Sequence, residues 1–176
     1  MYQHTKLLNG IQVLTESMPH FHSVAIGIFI GTGSRHETES EAGISHFLEH
    51  LPFKGTEQRP EPNLISGAIE LVGGVINALT EREFTCYWIK ISREHFMLAL
   101  DVLADMVQNP LMNAEEIEKE RLVILEELSM INDSPDSKAE QIIEQQLWPS
   151  QAMGRDIGGS KPSVSGISRQ NLIAYH

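Results

Sequence analysis

The chain has 176 residues, 41% of them hydrophobic and 21% charged, which suits one domain with a packed core. Its formal charge of −11, with only 13 Lys and Arg and no basic cluster, excludes a nucleic-acid backbone as partner. The acidity reads first as a solvated surface and second as a field that steers basic substrates.

No apolar run reaches the roughly 18 residues of a membrane span. The opening residues, Met1-Tyr2-Gln3-His4-Thr5-Lys6, lack the basic start and apolar stretch of a signal peptide. A single Cys86 excludes an internal disulfide and a cysteine-rich metal site, so a cytoplasmic protein with no membrane anchor is expected.

In chain order, Lys6 to Leu8 and Gln12 to Thr15 read as strands around the hairpin signal Asn9-Gly10. Ser23 to Ile30 is a nearly continuous apolar run, expected as a buried strand. Gly31-Thr32-Gly33-Ser34 ends it as a turn, since it lacks the third Gly and the Lys of a phosphate loop. Ala42 to Leu51 turns helical, and Pro52 stops or kinks that helix. Asn63 to Val72 is a second helix, ended by Gly73-Gly74. Val75 to Leu79 and Phe84 to Ile91 are expected as paired strands. An amphipathic helix follows over Arg93 to Gln108, with Phe96, Leu100, Leu103 and Val107 on its apolar face. Asn113 caps a long helix to about Asn132, and Ser137 to Trp148 is another. Gln151 to Ser165 reads as loop, and Ser168 caps a helix still running at His176, so a chain truncated at its C-terminus is expected.

His46, Glu49 and His50 stand at i, i+3 and i+4 and share one helix face. Imidazoles one turn apart can both reach one Zn²⁺ at about 2.0–2.1 Å, while Glu49 projects beside the ion as a general base for water. A catalytic zinc site needs a third protein ligand. The long helix offers Glu115, Glu116, Glu118, Glu120, Glu126 and Glu127. Ile117, Ile124, Leu128 and Ile131 mark its core side, with Glu120 and Glu127 on a neighbouring stripe, but periodicity alone does not separate Glu126 from Glu127.

Several further blocks accompany the pentapeptide. They are Gly33-Ser34-Arg35-x-Glu37, Gly43-x-x-His46, Phe53-Lys54-Gly55-Thr56, Gly73-Gly74-x-x-Asn77-Ala78-x-Thr80-x-x-Glu83-x-Thr85-x-Tyr87 and Glu120-Arg121-x-Val123-Ile124-x-Glu126-Glu127. In this order they resemble the pitrilysin and mitochondrial-processing-peptidase family, whose motif is the inverzincin His-x-x-Glu-His. The resemblance covers essentially the whole chain. It departs at Pro52, where the family usually has an apolar residue.

The resemblance implies an α+β fold, a mostly antiparallel sheet with helices packed on one face. It implies a zinc-dependent endopeptidase with Zn²⁺ held by His46, His50 and Glu127, Glu49 as catalytic base, and Glu120 behind a histidine ligand. It also implies that Asn77 and Ala78 lie on a strand edge that pairs with a peptide or unfolded-protein substrate. Residues 1–176 are then the N-terminal catalytic domain, incomplete, without the related second half or partner subunit that supplies an Arg and a Tyr; a dimer is compatible with this. The alternative is a metal-containing, non-catalytic peptide-binding or assembly subunit, for which retention of Glu49 has no use.

Overall fold

A computed structural model describes residues 2–176. The chain begins with a hairpin of β1 (Tyr2–Lys6) and β2 (Gln12–Glu16) that joins no other strand. Lys6 pairs with Gln12, so the loop is residues 7–11, wider than the 9–11 that the expected strands leave, and the first strand lies earlier than Lys6 to Leu8. Asn9-Gly10 still makes the bend. Asn9 Oδ1 accepts from the Ile11 amide at 3.2 Å, and Gly10 takes φ +92°.

The main sheet is antiparallel with order β3-β5-β4, built from β3 (Ser23–Ile30), β4 (Val75–Thr80) and β5 (Thr85–Ser92). Its register places Ile26 and Ile76 on either side of Ile89, so even positions of the outer strands share the inner face with odd positions of β5. β3 has the expected bounds but is not buried on both sides. Val24, Ile26 and Ile28 pack inward while Phe29 is 69% exposed. Small residues, Ala25 and Gly27, sit at the outward positions and hide the alternation in a run that looks uniformly apolar.

Helices α2 (Pro62–Glu70) and α3 (Phe96–Gln108) cover the inner face through Ile65, Ile69, Ala99, Val102, Leu103 and Met106. The buried stripe of α3 is therefore rotated from the expected one, and Phe96 and Leu100 are exposed. Ala99 has no bulk to hold the helix off the sheet, so the stripe centred on it packs closest.

A second core joins α1 (Ile44–His50), α4 (Ala114–Asp133), α6 (Lys161–Gly166) and α7 (Arg169–Tyr175) around Phe47, Ile117, Ile124 and Leu172. Asn113 caps α4 by accepting from the Glu115 amide, and Ser168 caps α7 by accepting from that of Asn171. α5 (Pro135–Leu147) starts two residues before Ser137 because Ser134 is its cap and Pro135 its first residue. α6 and a 3-10 turn at Ala152–Gly154 occupy the stretch expected as loop. Ser160 with Pro162 is a sound helix start, but six residues are too few for periodicity to show. Among the described residues no helix is long and apolar enough to cross a membrane.

Candidate metal centre

The site lies where α1 packs against α4. α1 has no side-chain cap at its own N-cap position, Gly43, whose φ is +93°. A Cβ there would meet Gly158 O at 2.4 Å, so the start of α1 lies directly on the backbone of the 158–159 segment. Its orphan amides are instead served by the buried Glu37. One carboxylate oxygen accepts from Gly43 N at 2.8 Å and the other from Ser45 N at 2.9 Å. A negative charge at a helix N-terminus opposes the dipole and fixes the first turn. Nothing in the spacing marks Glu37 for that role, because it acts across the intervening 3-10 turn at Glu39–Glu41.

Phe47 and Leu48 anchor α1 in the core, which turns His46, Glu49 and His50 toward α4. The two helices meet antiparallel, His46 opposite Glu127 and His50 opposite Glu120. His46 Nε2 is 3.2 Å and His50 Nε2 3.7 Å from Glu127 Oε2. The imidazole rings stand edge to face, 4.7 Å apart at 74°. Among the described residues His46, His50 and Glu127 form the group able to hold a metal, their donor atoms all within 4.8 Å of one another. Tetrahedral ligands about 2.0–2.1 Å from zinc lie about 3.3–3.4 Å apart, so the set fits zinc with small adjustments. Glu126, the neighbour that periodicity could not exclude, is exposed and outside the group.

Glu120 is 4% exposed and grips both His50 and Lys54. Its Oε2 is 3.0 Å from His50 Nδ1 and its Oε1 2.7 Å from Lys54 Nζ. A carboxylate accepting from Nδ1 leaves Nε2 unprotonated, its lone pair on the side of Glu127. The next residue, Arg121, lies over the Phe47 ring at 5.3 Å and donates to Ile167 O at 2.8 Å, tying α4 to both α1 and the α6–α7 link.

Glu49 Oε2 is 3.4 Å from His46 Nδ1. Burial opposes ionisation of Glu49, but His46, Thr80 and His50 outweigh it and hold the carboxyl below its ordinary range. Burial likewise disfavours the charged form of His46. The carboxylates of Glu49 and Glu127 reverse that and raise His46 above its ordinary 6.5 in the metal-free protein. His46, Glu49 and Glu127 open onto a cleft of 710 Å³ whose other side includes Ala78, Thr80 and Arg82. A larger hollow of 1060 Å³, mainly between α4, α5 and residues 148–161, reaches none of these three acids and bases.

Asn77 and Ala78 lie on β4, an edge strand here, and the Ala78 amide is taken by Asn77 Oδ1 at 2.8 Å. All residues singled out from the sequence thus lie around one helix pair and one adjoining strand.

The family model for insulinase-type peptidases, peptidase family M16, matches residues 12–161. An uncharacterised zinc protease of Bacillus subtilis, YmxG, is 40% identical over 167 residues, which is 95% of this chain and 41% of the relative. An uncharacterised zinc protease of Mycobacterium tuberculosis is also 40% identical, over 98% of this chain and 39% of its own. This chain therefore spans about two-fifths of the curated relatives it matches. Among solved structures, pitrilysin superposes with a TM-score of 0.85 at 26% identity, over 99% of this chain and 19% of its own. A protease from Helicobacter pylori shares the fold, with a TM-score of 0.94 at 24% identity, over 100% of this chain and 42% of its own. On the match over residues 12–161, the chain belongs to the insulinase family of peptidases, M16.

Proposed function

We propose that this chain is the zinc-binding catalytic portion of a metalloendopeptidase that hydrolyses peptide bonds in peptides or presequence-like segments. One observation carries the reading: His46, His50 and Glu127 converge at zinc-ligand spacing with Glu49 beside them, all in a family whose relatives are named zinc proteases. When bound, zinc supplies Lewis acidity that polarises the scissile carbonyl and eases deprotonation of water.

The chain's own residues do the rest. His46 and His50 through Nε2 and Glu127 through Oε2 would hold the ion, and Glu120 would keep His50 in the tautomer that binds. Glu49, held ionised, accepts a proton at its carboxylate from the attacking water and returns it to the departing amine nitrogen. The free edge of β4 receives the substrate backbone as an added strand, the peptide taking the Ala78 amide from Asn77. Main-chain pairing of that kind recognises extended peptides with little regard to sequence.

Residues 1–176 act as the N-terminal catalytic domain, and a second related half or subunit closes over the substrate. The relatives' greater length leaves room for it. The test is Glu49→Gln in the full-length protein. Zinc content is expected to stay stoichiometric while kcat falls about 10²–10⁴-fold, the usual contribution of a general base. An unchanged kcat would contradict the mechanism.

A further inference from the structure

Pro52 follows the second histidine by two residues, and a proline has no amide proton to give. Leu51 keeps helical angles, φ −63° and ψ −37°, so the nitrogen of residue 52 stands where the next helical N–H would aim at the carbonyl of Leu48. That carbonyl lies in the turn between His46 and His50, and Leu48 is 9% exposed. Left alone, it would be a poorly solvated acceptor on the helix that bears both imidazoles, at a cost comparable to a lost hydrogen bond. It is not left alone. The Tyr87 hydroxyl donates to it at 2.7 Å.

Tyr87 comes from β5, the central strand of the sheet, and is 3% exposed. Its ring lies 6.5 Å from that of Phe53, in the 3-10 turn (Leu51–Lys54) that continues α1. In the register it stands opposite Ala78 on β4. The hydroxyl thus bridges the sheet that carries the proposed substrate edge and the helix turn that carries His50. Burial, reinforced by the charge of Glu49, pushes the phenol well above its usual range, so it remains a donor.

From this geometry we infer that Tyr87 is a positioning residue for the metal centre: it replaces the hydrogen bond that Pro52 removes and thereby fixes the last turn of α1 and the His50 imidazole. The inference rests on the reading of His46, His50 and Glu127 as zinc ligands. It differs from the grip of Glu120, which orients the ring of His50 rather than the backbone beneath it. A purely space-filling role for Tyr87 would be indifferent to which residue stands at position 52.

That dependence gives the test, a double-mutant cycle in the full-length protein read by zinc titration and by thermal unfolding of the metal-free form. Tyr87→Phe keeps the ring and deletes the donor. It is expected to weaken zinc binding about tenfold, the lower end of what loss of a ligand's support costs. In the Pro52→Ala background residue 52 regains its N–H, so the same Tyr87→Phe change is expected to cost less than about threefold. The metal-free unfolding midpoint should follow the same pattern. Equal losses in both backgrounds, or none in either, would overturn the inference. If the parent protein bound no zinc, the ligand reading would fail, while the unfolding midpoints would still decide whether Tyr87 replaces the Pro52 amide. A third readout needs no variant: the Tyr87 hydroxyl proton should exchange slowly with solvent by NMR, and fast exchange would contradict its buried bond.

Discussion

The pairing of α1 with α4 has a closed end and an open end, one heptad apart on the same helix. At the closed end the Glu120 side chain is 6% exposed and both its oxygens are occupied, by His50 and Lys54. At the open end the Glu127 side chain keeps 40% of its surface and faces the cleft beside Glu49. The two glutamates are chemically identical and share one stripe of one helix. Their different neighbours set them apart: Glu120 is saturated by His50 and Lys54, whereas Glu127 opens onto the cleft and, on the proposed reading, is available as a ligand. The two imidazoles differ accordingly: His50 is held from behind by the buried Glu120, whereas both nitrogens of His46 face carboxylates that open onto the cleft, Glu49 and Glu127.

The sharpest way to break this comparison is at the open end. Glu127→Ala should abolish stoichiometric zinc, whereas Glu126→Ala, altering an exposed side chain, should leave it intact; metal analysis of the purified variants checks both. The opposite pattern would move the third ligand by one residue and collapse the contrast with Glu120. At the closed end the effect should be smaller. Glu120→Ala frees the His50 tautomer and strands Lys54, and is expected to weaken zinc binding about 10–100-fold without changing its stoichiometry. A variant that lost zinc outright would make Glu120 a ligand rather than a support.

The smallest effect concerns pH. His46 is raised above 6.5 in the metal-free protein, so its protonated form contributes stability that is complete below 6.5 and lost as the pH rises through the raised value. On the proposed ligation, zinc binding at His46 displaces that proton. Its apparent affinity should therefore increase with pH across this window, by up to about tenfold per unit for one proton released, as measured by competition titration. A flat profile would place His46 outside the ligand set.

How much of this was legible in the sequence depends on the distance over which each contact acts. The face shared by His46, Glu49 and His50 is a property of one helix turn and can be read directly, as can the Asn113 cap of α4. Period alone does not choose Glu127 over Glu126; the crossing of α1 shows which one meets the imidazoles, and Glu126, about 100° further round the helix, is exposed. Glu37 and Tyr87 stand in the blocks that carry the resemblance, but their roles were not legible, for a different reason. Each serves the backbone of α1 from another element, and a side chain aimed at a carbonyl or an amide leaves no pattern in residue spacing. Local chemistry misled in two places. Small outward residues made β3 look buried on both sides, and Ala99 shifted the packed stripe of α3.

The most direct test of the central claim is X-ray absorption spectroscopy at the zinc edge of the full-length protein loaded with one equivalent of zinc. Two imidazoles and oxygen ligands at about 2.0–2.2 Å, with no sulfur, are the result expected for His46, His50 and Glu127. A sulfur shell from Cys86, or a single imidazole, would contradict a centre built between α1 and α4.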